Sequence, residues 1–209
     1  MNLHRHLVKP LTHQLSKPIL FVLCLLPFLA LAYAAVFDQG RLGANPAEYI
    51  IRSTGDWVLR FLCITLAITP LRVITATPQL ARLRRMLGLY VFFYVVLHLL
   101  SYSLFDKEFD IPEIAKDIVK RPFILVGFAG FVLLTPLALT SFNKAIKWLG
   151  AKRWQTLHKL VYVIAGLGIL HFFWMRAGKN NFAEVFLYAG ILAALLGWRV
   201  WRKLIGDRP

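Results

Sequence analysis

The sequence contains no Gly-x-Gly-x-x-Gly after a strand-like run and no phosphate-binding Gly-x-x-x-x-Gly-Lys-Ser/Thr. That excludes the standard soluble-domain ways of holding NAD(P)H or ATP. Cysteine is scarce. Cys24 and Cys63 both sit inside apolar runs, and neither CxxC nor CxxCH occurs, so disulfide, zinc and covalent c-type haem readings lack support. Acidic residues are also few, 10 Asp and Glu against 25 Lys and Arg, for a net charge of +15. Such a charge raises nucleic acid as a partner. The basic residues, however, fall in short clusters between apolar runs and build no basic face, which sets nucleic-acid binding aside. Long polar stretches are missing as well, so no soluble domain longer than a loop is expected.

What fills the chain is apolar. Hydrophobic residues make up 58% of the 209, and the mean hydropathy is +0.62, beyond the range of ordinary soluble domains. The expectation is an all-α integral membrane protein. Residues 1–17 form a basic tail, followed by a first span from Pro18 to Phe37. Ala32-Tyr33-Ala34 resembles a signal-peptidase site, yet the run is near membrane length and lacks a sharp polar end, so an uncleaved span is expected. A loop from Asp38 to Gly55 precedes the second span, Asp56 to about Val73, and the third runs from Met86 to Phe105. A charged loop from Asp106 to Arg121 leads to the fourth span, Pro122 to about Thr140. The fifth is Trp154–Trp174 and the sixth runs from Glu184 to about Trp201.

Lys and Arg near span ends mark the cytoplasmic side. The clusters at 5–17, 72–85, 144–159 and 199–208 hold 16 of the 25, and they alternate with loops that hold the other 9. This gives six spans with both termini in the cytoplasm: a tail at 1–17, a transmembrane domain at 18–203 and a tail at 204–209.

The fifth run carries His158 and His171, and the third carries His98. An ionisable group in a membrane helix is costly and points to function, and neutral imidazole is a common iron ligand. Satisfying a backbone carbonyl or lining a polar cavity is the competing explanation for each. Thirteen residues of continuous helix would set His158 and His171 about 20 Å apart. Counting from the inner ends, His98 lies about 18 Å up, His158 about 6 Å and His171 about 26 Å. His98 and His171 are thus nearest in depth and suit one b-type haem clamped between two helices in the outer half of the membrane. Two neutral imidazoles leave iron without an open position, which suits electron transfer.

His158 has no histidine at its depth, and ideal geometry turns it about 140° from His171. A second haem, a propionate contact or a simple hydrogen bond all remain open for it. Nearby Arg84, Arg85, Lys152, Arg153 and Lys159 suit haem propionates or a flavin phosphate, and cytoplasmic anchoring explains them equally well. Tyr90, Phe92, Phe93, Tyr94, Tyr102, Phe172, Phe173 and Trp174 suit either a porphyrin face or an aromatic belt. Gly88, Gly127, Gly130, Gly166 and Gly168 suit close helix approach or space for a macrocycle. The amino-terminal His4, His6 and His13 are given no role.

An ordered set of short stretches also carries a likeness: Leu42-Gly43-Ala44-Asn45-Pro46, Thr54-Gly55-Asp56-Trp57, Ile68-Thr69-Pro70-Leu71-Arg72, Arg84–Leu89, Leu97-His98, Arg121-Pro122 and Arg153–Tyr162. Together they resemble the MsrQ family (formerly YedZ) within the ferric reductase-like transmembrane superfamily, over nearly all of residues 18–203. The resemblance implies a haem-containing subunit of a bacterial methionine sulfoxide reductase system in the inner membrane. It implies electrons taken from a cytosolic flavin reductase or the quinone pool and passed through b haem, and FMN, to the periplasmic molybdopterin enzyme MsrP. The implied haem ligands are His98 and His171, with His158 as a further haem-associated histidine. No motif marks an FMN site. The competing functions are a stand-alone ferric or oxygen reductase of the same superfamily and a non-redox transporter whose histidines relay protons.

Overall fold

The computed structural model describes residues 16–178 and 180–206. His4, His6 and His13 lie outside them. Among the described residues all regular structure is helical, and six helical segments are long and apolar enough to cross a membrane. The chain divides after Asp106 into two compact units.

The first unit contains α1 (Ser16–Phe37), α2 (Pro46–Ile74) and α3 (Arg84–Phe105), with short 3-10 turns at Gln39–Leu42 and Pro78–Arg82. α2 begins ten residues before the expected Asp56. Asn45 caps it, its side chain accepting from the Glu48 amide at 3.1 Å, and Pro46 occupies the first helical position. Glu48 and Arg52, which read as loop residues, pair one helical turn apart. α2 and α3 pack along their length and bury Leu59, Phe61, Leu62, Leu66, Leu87, Tyr90, Val91 and Tyr94.

Two phenols of α3 hold α1. Tyr90 Oη donates to the Phe21 carbonyl at 2.6 Å. Tyr94 Oη donates to the Cys24 carbonyl at 3.0 Å and accepts from the Phe28 amide at 3.1 Å. It therefore stands between two groups that an uninterrupted helix would pair directly. Pro27 opens the ladder at that point, having no N–H to give Leu23. Phe61 and Trp57 stack against these rings at 5.1–6.2 Å between centroids. Tyr90 and Tyr94 are thus committed to helix packing.

The second unit contains α4 (Ile111–Lys120), α5 (Pro122–Leu139), α6 (Asn143–Leu149), α7 (Ala151–His158), α8 (Leu160–Ala177) and α9 (Ala183–Gly206). The sequence suggested only a charged loop at α4. Asp110 caps that helix, accepting from the Glu113 amide at 3.0 Å, with Pro112 in the first turn. α6 was likewise not foreseen. Gly150, at φ 77°, makes the junction between α6 and α7. α5 packs on α8, burying Leu134, Leu137, Ile164 and Ala165, and α9 covers α8 through Val185 and Leu192.

The fifth span is not one regular helix. Lys159 donates to the Thr156 carbonyl and Tyr162 to the Lys159 carbonyl, both three residues apart, which tightens the chain between α7 and α8. The count that turned His158 about 140° from His171 assumed an unbroken helix and does not apply. The irregularity lies at Lys159 rather than at Gly166 or Gly168.

Candidate haem-binding site

His98 lies on α3 with its ring against Gly55 of α2. Its Nδ1 stands 2.8 Å from the Ile51 carbonyl. A carbonyl only accepts, so Nδ1 carries the proton and the imidazole lone pair sits on Nε2, an atom through which a histidine can ligate a metal. A Cβ at residue 55 would fall 3.1 Å from Cε1 and 3.2 Å from Nδ1. Thr54, buried at 2% exposure, donates to the Ile50 and Ile51 carbonyls at 2.9 Å, and its Oγ1 lies 3.4 Å from His98 Nδ1.

The second unit repeats the arrangement. His171 on α8 sets its Nδ1 2.6 Å from the Phe123 carbonyl on α5 and its ring against Gly127. A Cβ at residue 127 would come within 2.8 Å of Nδ1 and 2.9 Å of Cε1, closer than real side chains approach. In each unit the accepting carbonyl and the glycine are four residues apart on one neighbouring helix. The helix geometry places them one turn apart on the same face. The carbonyl fixes the tautomer and the missing side chain makes room for the ring. This is the outer support that metal-ligating histidines ordinarily have, so the chemistry of both imidazoles fits an axial haem ligand.

His158 is held differently. Its Nδ1 donates to the carbonyl of Trp154 in its own helix at 3.0 Å, and its ring stacks on that indole at 3.9 Å between centroids. The indole in turn donates from Nε1 to the Thr140 carbonyl at 2.9 Å. Gly55, Gly127, Gly130 and Gly166 do not lie against its ring. Arg84, Arg85 and Arg153 are all exposed, and Arg84 Nη1 lies 3.4 Å from Thr69 Oγ1.

Of the glycines singled out in sequence, Gly127 makes the close approach. Gly88 meets only a Thr65 methyl at 3.9 Å, while Gly130 and Gly166 face open space. Gly55 and Thr54 were missed as site residues because that stretch was read as loop. The charged segment 106–121, expected as a loop, also differs from expectation. Asp117 is buried and paired with Lys107 at 2.8 Å and Arg121 at 3.3 Å, and Glu113 pairs with Lys116 at 2.6 Å. Much of its charge is satisfied internally.

Residues 54–170 match the family model described as ferric reductase like transmembrane component. A protein-methionine-sulfoxide reductase heme-binding subunit MsrQ from Polaromonas naphthalenivorans is 73% identical over 193 residues, covering 92% of this chain and 87% of that one. The chain belongs to the MsrQ family. Similar proteins of that name from Herminiimonas arsenicoxydans and Ralstonia nicotianae are 57% and 55% identical, each over 90% of this chain, with 87% and 86% of their own lengths covered. No solved structure matches the chain. The matched family region opens at Thr54, beside the Gly55 that receives His98, and takes in His98, Gly127 and His158. It stops one residue short of His171.

Proposed function

We propose that this chain is a membrane electron-transfer subunit of a methionine sulfoxide reductase system, holding b-type haem through His98 and His171. The observation that carries the reading is the pair of histidine–carbonyl–glycine arrangements, in a chain whose MsrQ relatives are named heme-binding subunits. When bound, haem would supply a one-electron carrier, and His98 and His171 are the residues that would hold it. The protein's part is positional. Ile51 and Phe123 keep each Nδ1 protonated, and Gly55 and Gly127 seat the rings. The apolar spans exclude water, which lowers the solvent reorganisation that accompanies a moving charge.

In the same reading residues 18–203 form the transmembrane domain in the bacterial inner membrane, with the tails at 1–17 and 204–209 in the cytoplasm. α2 and α5 then start at the outer face, and the nearness of Ile51 and Phe123 to those starts supports haem ligands in the outer half. Electrons enter from a cytoplasmic flavin reductase or quinol and leave to the periplasmic molybdopterin reductase MsrP. FMN is the second cofactor of this scheme, with Arg84, Arg85 and Arg153 as the phosphate- or propionate-facing cations. His158 serves a second haem or a propionate. The chain itself reduces no sulfoxide.

Reconstitution in vesicles of known orientation tests the scheme. Reduced flavin is supplied on the side of the basic clusters, and MsrP on the other. Reduction of the b-type spectrum, then reoxidation only when MsrP is present, is the expected result. A purified protein with no Soret shift between oxidised and reduced forms would overturn the haem reading. Equal turnover with donor and acceptor on one side would overturn the direction.

A further inference from the structure

α4 is a ten-residue helix with a sharp division of character. At roughly 100° per residue, Ile111, Ala115 and Val119 fall within about 80° of one another on one side. Glu113, Lys116, Asp117 and Lys120 occupy the other. In a water-soluble domain the apolar side would face the core. Here that side is split: Ile114 and Ile118 are half-buried against the protein, while Ile111 is 66% exposed and Val119 78%, and the fully buried residue of the helix is Asp117. Ion pairs fix this rotation of the helix, because Asp117 takes Lys107 on one side and Arg121 on the other. Phe109, just before the helix, is also exposed.

Chain connectivity says what covers this face. A single residue, Arg121, separates Lys120 from Pro122, where the apolar span α5 begins. α4 therefore lies within one residue of a membrane surface. Lys116, next to Val119 around the helix, is exposed, as is Lys120 at its end, and exposed cations beside an apolar stripe suit phosphate headgroups. A hydrogen bond to Glu113 raises the pKa of Lys116 above its ordinary value, so it stays charged.

We propose that α4 is an interfacial helix, lying in the plane of the bilayer surface with Ile111, Ala115 and Val119 sunk into the acyl boundary. The helix then does more than cover lipid. Arg121, which Asp117 holds, stands two residues before Phe123, whose carbonyl receives His171. Lipid seating of α4 thereby fixes the start of the helix that positions that imidazole.

Site-directed spin labelling of the full chain in lipid nanodiscs tests this without reference to haem. Cys24 and Cys63 are buried, so labels report from introduced cysteines. Labels at Val119→Cys and Ile111→Cys are expected to be relaxed by oxygen, which concentrates in lipid, and protected from a water-soluble nickel chelate, like a label at Leu125→Cys in α5. Lys116→Cys is expected to show the opposite. Free access of nickel to residues 111 and 119 would overturn the proposal and leave that face for an aqueous partner. Protection from both relaxants would also overturn it, and would indicate a second protein surface. Circular dichroism of each labelled variant, matching that of the parent, confirms that the fold is retained.

Discussion

At the scale of residues, the histidines were legible because an ionisable ring in an apolar run is conspicuous. Their supports were not. Ile51 and Phe123 contribute only backbone, so no side chain announces them, and Gly55 contributes by having none. His98→Ala and His171→Ala should each abolish the low-spin b-type spectrum. His158→Ala should leave at least part of it, since that ring is held by its own helix and an indole. Absorbance of the purified variants decides this, and full haem retention without His171 would refute the assignment. The glycines give a graded prediction. Gly127→Ala puts a methyl 2.8 Å from the ring and Gly55→Ala one at 3.1 Å. The first should therefore lose the larger share of haem, measured as haem per protein after purification.

At the scale of elements, the apolar runs located all six spans, but their ends were misjudged wherever polar residues sit inside a helix. Glu48 and Arg52 neutralise one another within α2, and that pairing is invisible to a hydropathy average. α4 escaped notice because its charges dominate the composition of a short stretch. The same scale holds a stability prediction. Tyr94→Phe removes the hydroxyl that satisfies both the Cys24 carbonyl and the Phe28 amide in a buried setting. Each group left without a partner costs about 1–3 kcal/mol. Tyr90→Phe removes one donor from a carbonyl that α1 still serves in its own ladder, and should cost less. Thermal unfolding in detergent should rank them with Tyr94→Phe the less stable, and the reverse order would contradict the bridging role.

At the scale of the whole molecule, charge separates along the chain, with cations concentrated at alternate span ends, and this was readable from Lys and Arg positions alone. How the acids are used was not readable. Asp117 and Glu113 are matched internally, so the loop that holds them presents less net field than its composition suggests. Under the proposed direction of transfer, raising salt in oriented vesicles should therefore slow reduction by an anionic flavin on the side of the basic clusters more than transfer on the other. Stopped-flow rates on each side check it, and an equal salt slope would count against it. The phenol inside α1 carries a consequence for biogenesis. Tyr94 follows Phe28 by 66 residues, so at ~5–20 residues per second the ribosome delivers it roughly 3–13 s later. Until then the opened turn beside Pro27 lacks the hydroxyl that comes to bridge its amide and carbonyl, and lipid offers no substitute. The first helix thus enters the membrane unfinished, and the third completes it.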